Sequence, residues 1–470
     1  MADLLLQDYV DANRDRIVAE LLDWLRIPSI SAQPAHAPDV RRSAEWVARA
    51  MRAAGLEGVA ILETAGAPAV YGEWCHAGPP APTVLVYGHH DVQPVDPLPE
   101  WTSPPFEPVI VDGECLARGA IDDKGQVLYE IEAARGWLAT RGRLPVNLKL
   151  LVEGEEESGS PNFEALLRAE SGRLSCNVVV VSDTGMWARD VPSMCVGMRG
   201  LVACDVTVRT GRIDLHSGSF GGAVPNPAHL IADLVAALHD RDGRVAVPEF
   251  YDRVRPLSPA EQAAIAALPF DEEAWRATAG VGALSGEAGH STLERVWTRP
   301  TCDVVGITVG YGGAGTKTIV PAHGNVKVTF RLVPDQDPEE VEAAFRAWVP
   351  SRLPEGVEVE VTCHGGVAPA LTPLDHPGVG ALSRAIEAVW GTPPLLTREG
   401  GSGPEETLGR VLDAPVLYLG VGLPDDRIHA PNERMVMEQF WRGLLAAGQL
   451  WEEMGAMGAP GEGGQGPGAE

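Results

Sequence analysis

The chain predicts an α/β fold: a mostly parallel, doubly wound α/β domain interrupted by a smaller inserted α+β domain of ferredoxin-like type. Two observations carry this. Four near-continuous apolar runs, 84–88, 146–152, 178–182 and 416–421, have the length and the lack of alternation of strands buried on both faces, and helical spacing recurs between them. Between about 200 and 372 the pattern changes to alternating polar and apolar residues, as in strands with one solvated face, before the first pattern returns.

Taken in order, residues 9–25 and 40–54 carry apolar side chains at amphipathic helical spacing, and the first buried strand then ends at His89 and Asp91. A loop containing Pro94, Pro97, Pro99, Pro104 and Pro105 follows. Helix 125–140 comes after Asp122-Asp123-Lys124, strand 146–152 runs into Glu153 and Glu155 to Glu157, and strand 178–182 runs into Asp183. In the inserted part, 201–210, 325–334 and 357–363 read as half-exposed strands, with helices at 227–239 and 338–348. The order is βαββαβ-like, with a helical excursion over 251–286. After 374 the reading is helix 378–390, strand 416–421 towards His429, and a last helix over 433–454. The expected boundaries are 1–199 and 373–454 for the outer domain, 200–372 for the insertion, and 455–470 for a flexible Gly-, Pro- and Ala-rich tail.

The length of 470 residues suits two or three domains, and 45% hydrophobic with 22% charged residues is a globular composition. A net charge of −28 opposes nucleic acid or an anionic membrane as partner. The seven cysteines are odd in number, scattered and without a Cys-x-x-Cys pair, which fits a reducing compartment. Residues 1–16 lack the basic and apolar segments of a secretory signal, and nowhere do 18 apolar residues run together. The expectation is a cytoplasmic enzyme.

The chemistry lies where the strands end. In open α/β sheets, ligands collect outside the carboxyl ends of the strands. Here those ends carry two histidines and several carboxylates with no thiolate, a donor set suited to a pair of divalent cations.

Gly88-His89-His90-Asp91-Val92-Gln93-Pro94, Arg118-Gly119-Ala120-Ile121-Asp122-Asp123-Lys124-Gly125, Glu153-Gly154-Glu155-Glu156-Glu157-Ser158-Gly159-Ser160, Ser182-Asp183 and His429-Ala430-Pro431-Asn432-Glu433 together resemble the M20 metallopeptidases, nearest their carnosinase-like dipeptidase branch. Asp214-Leu215-His216-Ser217-Gly218 and Phe330-Arg331-Leu332-Val333-Pro334 in the insertion add to the likeness, which spans nearly the whole chain.

The resemblance implies a catalytic domain with an inserted lid and dimerisation domain, acting as a homodimer on small peptides. It implies that His89, Asp122 and Asp183 hold one ion and Asp122, Glu157 and His429 the other, zinc being favoured and manganese or cobalt acceptable. Two divalent ions against three carboxylates and one bridging hydroxide make a neutral cluster, which is cheap to bury. Residues two apart on a strand share a face, so Asp91 lies beside His89 and could orient its ring. Neighbouring Glu156 and Glu157 must diverge, leaving Glu156 as general base while Glu157 coordinates. His216 would stabilise the oxyanion, Arg331 would clamp a substrate carboxylate, and Ser402 in the 400–404 loop, with Thr318 and His364, would complete the pocket.

His90, Glu155 and Gly403 depart from the usual pattern of that branch, without removing a ligand or the base. The side chain of His90 should point away from that of His89. The expected reaction is hydrolysis of dipeptides. An N-acyl amino acid amidohydrolase of deacylase or desuccinylase type is the alternative, and a metal-holding binding protein a third reading that leaves Glu156 without a task.

Overall fold

The computed structural model describes residues 4–457. Within them the chain forms two compact units. One comprises 4–196, Thr372–Thr397 and 403–457, and the other Gly197–Leu371 and Arg398–Ser402.

The first unit is built on a six-stranded sheet. Its spatial order is Glu57–Leu62, Ala69–Trp74, Asn147–Glu153, Thr83–His89, Val178–Val181, Val416–Tyr418. The last four strands are mutually parallel and almost wholly buried, as their unbroken apolar runs require. The register pairs His89 with Glu153, and Tyr87 and Tyr418 with Val181, so the carboxyl ends of these strands line one edge.

The two strands at one edge, Glu57–Leu62 and Ala69–Trp74, pair antiparallel and were not anticipated. The first is short and largely solvated, so it carries no apolar run for a pattern to register. Strand 416–421 is also shorter than expected, ending at Tyr418.

Helices Leu4–Leu25, Ala37–Ala53, Lys124–Arg141, Pro377–Trp390 and Met437–Met457 pack against this sheet or one another, and their apolar residues share one core with it. Lys124–Arg141 is buried along most of its length and therefore shows no amphipathic stripe. Two expectations at the last helix need correction. It begins at Met437 rather than 433, because Arg434–Val436 instead pairs as a strand with Glu114–Leu116. It also continues through Met457, so 455–457 are helical rather than tail, while the rest of the expected tail, 458–470, lies outside the described residues.

The second unit holds a four-stranded antiparallel sheet ordered Thr301–Val309, His323–Leu332, Gly200–Arg209, Glu358–Val367. With helices Pro227–Ala236 and Pro338–Ser351, the chain order is βαββαβ. Thr301–Val309 was not picked out beforehand: much of it is exposed, and its β-branched residues do not alternate cleanly. The helical excursion over 251–286 resolves into Pro259–Ala266 and Glu272–Ala279, and a further helix, Thr292–Trp297, lies beyond it; capping boxes at Ser258 and Ser291 start the first and the last.

Cys204 and Cys363 are register partners on adjacent strands of this sheet and form a disulfide. This corrects the expectation of wholly reduced cysteines. Spacing along the chain cannot reveal a pair 159 residues apart that only the strand register brings together. Among the described residues no helix is long and apolar enough to cross a membrane.

Candidate metal centre

His89 closes strand Thr83–His89 and is completely buried. Its Nε2 lies 3.1 Å from Asp122 Oδ1 and 3.4 Å from Asp183 Oδ2. Its Nδ1 faces Asp91, 3.1 Å from the carbonyl oxygen and 3.3 Å from the carboxylate. Asp91 Oδ2 in turn accepts from the Glu157 amide at 3.0 Å. As the alternation of a strand requires, His90 points elsewhere, with its Nε2 2.9 Å from the Pro68 carbonyl.

The other oxygen of Asp122 completes a second group. His429 Nε2 lies 2.9 Å from Asp122 Oδ2 and 3.1 Å from Glu157 Oε2. Thus Asp122 presents one carboxylate oxygen to each histidine. His89, Asp122 and Asp183, and likewise Asp122, Glu157 and His429, each bring one donor atom within 4.8 Å of the others, close enough to share an ion.

Local structure explains why these side chains converge. Asp183 stands two residues after strand Val178–Val181, and Glu157 sits in the short 3-10 turn Glu156–Ser158 just beyond strand Asn147–Glu153. Asp122 precedes helix Lys124–Arg141, and the Asp122–Asp123 peptide is cis. Asp123 does not cap that helix with its side chain; its Oδ2 accepts from the His89 amide at 3.0 Å. Only glycine at position 88 permits this approach, since a Cβ there would lie 2.5 Å from Asp123 Oδ2.

The electrostatics describe a site with too many acids for its imidazoles. Burial alone would lower the pKa of His89, but Asp183, Asp122 and Asp91 hold it well above the usual value. Hydrogen bonds to Asp122 and Glu157 raise His429 to about 10. Burial would raise Asp122, yet His429 and His89 pull it below the ordinary carboxylate range.

The remaining acids go the other way. Burial and the charge on Asp122 lift Glu157 to about 7, despite the hydrogen bond with His429. Burial also raises Asp183, although His89 opposes it. Glu156 is pushed well up by burial and by Asp183, Glu157 and Asp122, more than His89 offsets. Glu157 Oε1 and Asp123 Oδ1 are buried without a hydrogen-bond partner. A divalent cation fits this donor set of imidazoles and carboxylates, supplying the positive charge and the missing partner for Glu157.

Two residues given no role beforehand belong to the same constellation. Gln93 Nε2 donates to Glu157 Oε2 at 2.7 Å and to its carbonyl at 3.2 Å. Glu433 is fully buried and accepts from the segment carrying Asp122. Both stood inside the quoted motifs, but neither has a periodicity or composition that marks it out.

The profile of peptidase family M20/M25/M40 matches residues 85–453, a span that includes both donor groups. The chain belongs to this family. It is 30% identical to human Beta-Ala-His dipeptidase over 95% of this chain and 91% of that one. It is equally 30% identical to the Cys-Gly metallodipeptidase dug1 of Schizosaccharomyces pombe, over 93% and 95%. Among solved structures, the M20 family metallo-carboxypeptidase Sso-CP2 of Sulfolobus solfataricus superposes with a TM-score of 0.85 at 30% identity, covering 94% of this chain and 99% of that one. Human carnosine dipeptidase 1 does so with 0.80 at 29%, covering 97% and 100%.

The other expected site residues of this M20 chain lie in its second unit. His216 is exposed, pairs in register with Ile319, and accepts from the Gly218 amide through Nδ1 at 3.1 Å. The adjacent Thr318 receives the Ser217 amide on its carbonyl at 2.9 Å, so His216 and Thr318 belong to one small ladder. Arg331 and Ser402 meet directly, Nη1 donating to Oγ at 3.0 Å, and the Ser402 hydroxyl donates to the Arg199 carbonyl at 2.6 Å. His364 is exposed on a bulge after Cys363, with Nε2 3.6 Å from Asp205, which also pairs with Lys327.

Proposed function

We propose that this M20 chain is a metal-dependent peptidase that hydrolyses the amide bond of dipeptides, with the two donor groups joined at Asp122 as its catalytic centre. That shared carboxylate carries the reading: one buried aspartate aligned with two histidines from remote segments has no simple packing explanation. Relatives named as dipeptidases along nearly the whole chain support the substrate class. The N-acyl amino acid amidohydrolase alternative has no comparable support.

His89, Asp122 and Asp183 would hold one divalent ion and Asp122, Glu157 and His429 the other, zinc being favoured by affinity for this donor set. When bound, such ions acidify a water and polarise the scissile carbonyl. Glu156 supplies the proton transfer. It stands among these residues without belonging to either donor group, and its raised pKa suits a carboxylate that takes a proton and returns it to the leaving amine. Asp91 acts as a positioning residue, holding the His89 ring so that Nε2 faces Asp122 and Asp183.

In the inserted 200–372 region, assigned here as lid and homodimer surface, His216 would donate to the developing oxyanion. Arg331, held by Ser402, would take the substrate carboxylate, with Thr318 and His364 around the same ligand. A cytoplasmic location is part of the proposal, and the Cys204–Cys363 bond, unusual in a reducing compartment, is the feature that a thiol titration without reductant would test.

The deciding experiment combines metal analysis of the purified protein with a panel of dipeptides, a tripeptide, and N-acetyl and N-succinyl amino acids. Two bound ions and turnover of dipeptides, abolished by chelation and restored by metal, are expected. Failure to retain any ion, or turnover of acyl amino acids alone, overturns the proposal.

A further inference from the structure

We infer that Glu433 is the positioning residue for the carboxylate shared by the two donor groups. It stands four positions after His429, in the loop leading into strand Arg434–Val436. Its carboxylate is completely buried and occupied on both oxygens. Oε2 accepts from Arg118 Nη1 at 2.8 Å and from the Gly119 amide at 2.9 Å, while Oε1 accepts from the amides of Ile121 at 3.1 Å and Asp122 at 3.2 Å. Its own carbonyl takes the Ala117 amide at 3.1 Å. An ionised carboxylate has about four acceptor sites, and here one short segment supplies a donor for each.

This arrangement does more than neutralise Arg118. An ion pair needs only one oxygen, yet the second is given wholly to backbone amides, the last being that of Asp122 itself. The same loop also supplies His429, whose Nε2 lies 2.9 Å from the Asp122 side chain. Segment 429–433 therefore grips Asp122 at both ends, the amide through Glu433 and the carboxylate through His429. Fixing both ends sets where Asp122 points and how far it stands from His429. Because Asp122 also faces His89, a shift at Glu433 reaches both donor groups.

The inference rests on the reading of Asp122 as the shared ligand. Its consequence is specific. Glu433→Gln replaces one acceptor oxygen by an amide donor aimed at backbone N–H groups, so two of the four bonds are lost. Glu433→Asp keeps the charge but withdraws the carboxylate by one methylene.

The test is titration of chelated wild type, Glu433→Gln and Glu433→Asp with Zn2+ against a competing chelator, alongside kcat and KM on a dipeptide and the melting temperature of each chelated protein. Both variants are expected to bind Zn2+ roughly 10- to 100-fold more weakly, with kcat partly restored at saturating metal and KM little changed. A lowered melting temperature with wild-type Zn2+ affinity would show that Glu433 only stabilises the fold, overturning the inference. If Glu433→Gln does not fold, the milder Glu433→Asp decides by the same criterion. Wild type that binds no Zn2+ refutes the metal centre itself, a different outcome from variants that bind as tightly as wild type.

Discussion

Replacing Glu156 by Gln tests the proposed chemistry with little structural disturbance. The amide has the shape of the carboxyl it replaces. Glu156 contributes no donor atom to either histidine-carboxylate group, so two ions should remain bound. Its position among Asp183, Glu157 and Asp122 means that a neutral side chain relieves repulsion, and the folded state should not lose stability. What is lost is the proton acceptor. General acid–base catalysis typically contributes roughly 10²- to 10⁴-fold, which at about 1.4 kcal/mol per decade raises the barrier by ~3–5 kcal/mol. Steady-state hydrolysis of a dipeptide with metal content measured on the same sample should show kcat down by that factor and KM within about threefold. Turnover within tenfold of wild type would remove Glu156 from the role. Loss of an ion would instead show that it is a ligand.

The remaining predictions concern protons, stability and thiols. At pH 7 His429 in chelated protein is protonated, since its pKa is about 10. Zn2+ must displace that proton, so calorimetry in buffers of different ionisation enthalpy should show proton release and affinity rising with pH; buffer-independent heats would contradict this. Because the folded-state value lies above the ordinary 6.5, the His429 contribution to the chelated fold is fully present below about pH 6.5 and disappears as pH rises through about 10. Glu261 behaves oppositely. Burial would raise its pKa, but Arg255, the Ser258 cap and Arg398 bring it down to about 2, so its stabilisation is present above about pH 4.5 and fades as pH falls towards 2. Glu261→Gln should melt with a flatter pH dependence across that window, and superimposable profiles would refute the assignment. Thiol titration of the protein denatured without reductant should find five thiols, Cys75, Cys115, Cys176, Cys195 and Cys302, whereas seven would exclude the Cys204–Cys363 bond.

By itself the sequence determined the α/β class and the buried parallel strands, because burial on both faces leaves unbroken apolar runs, and it placed acids and imidazoles at the strand ends; the peptidase family came from the resemblance of its motifs to M20. His89, Asp122, Glu156, Glu157, Asp183 and His429 could be named because they lie in those motifs at or near the strand ends. Their neighbours could not. Strands Glu57–Leu62 and Thr301–Val309 are too solvated to leave such a mark.

Only the tertiary structure decided that Asp122 turns one oxygen to each histidine, that Gln93 holds Glu157, and that Glu433 lies ahead of the last helix and binds the amide of a residue 311 positions away. These are contacts between remote segments made through single hydrogen bonds. No repeat or composition along the chain encodes such a contact, since it exists only once the sheet has set which loops meet.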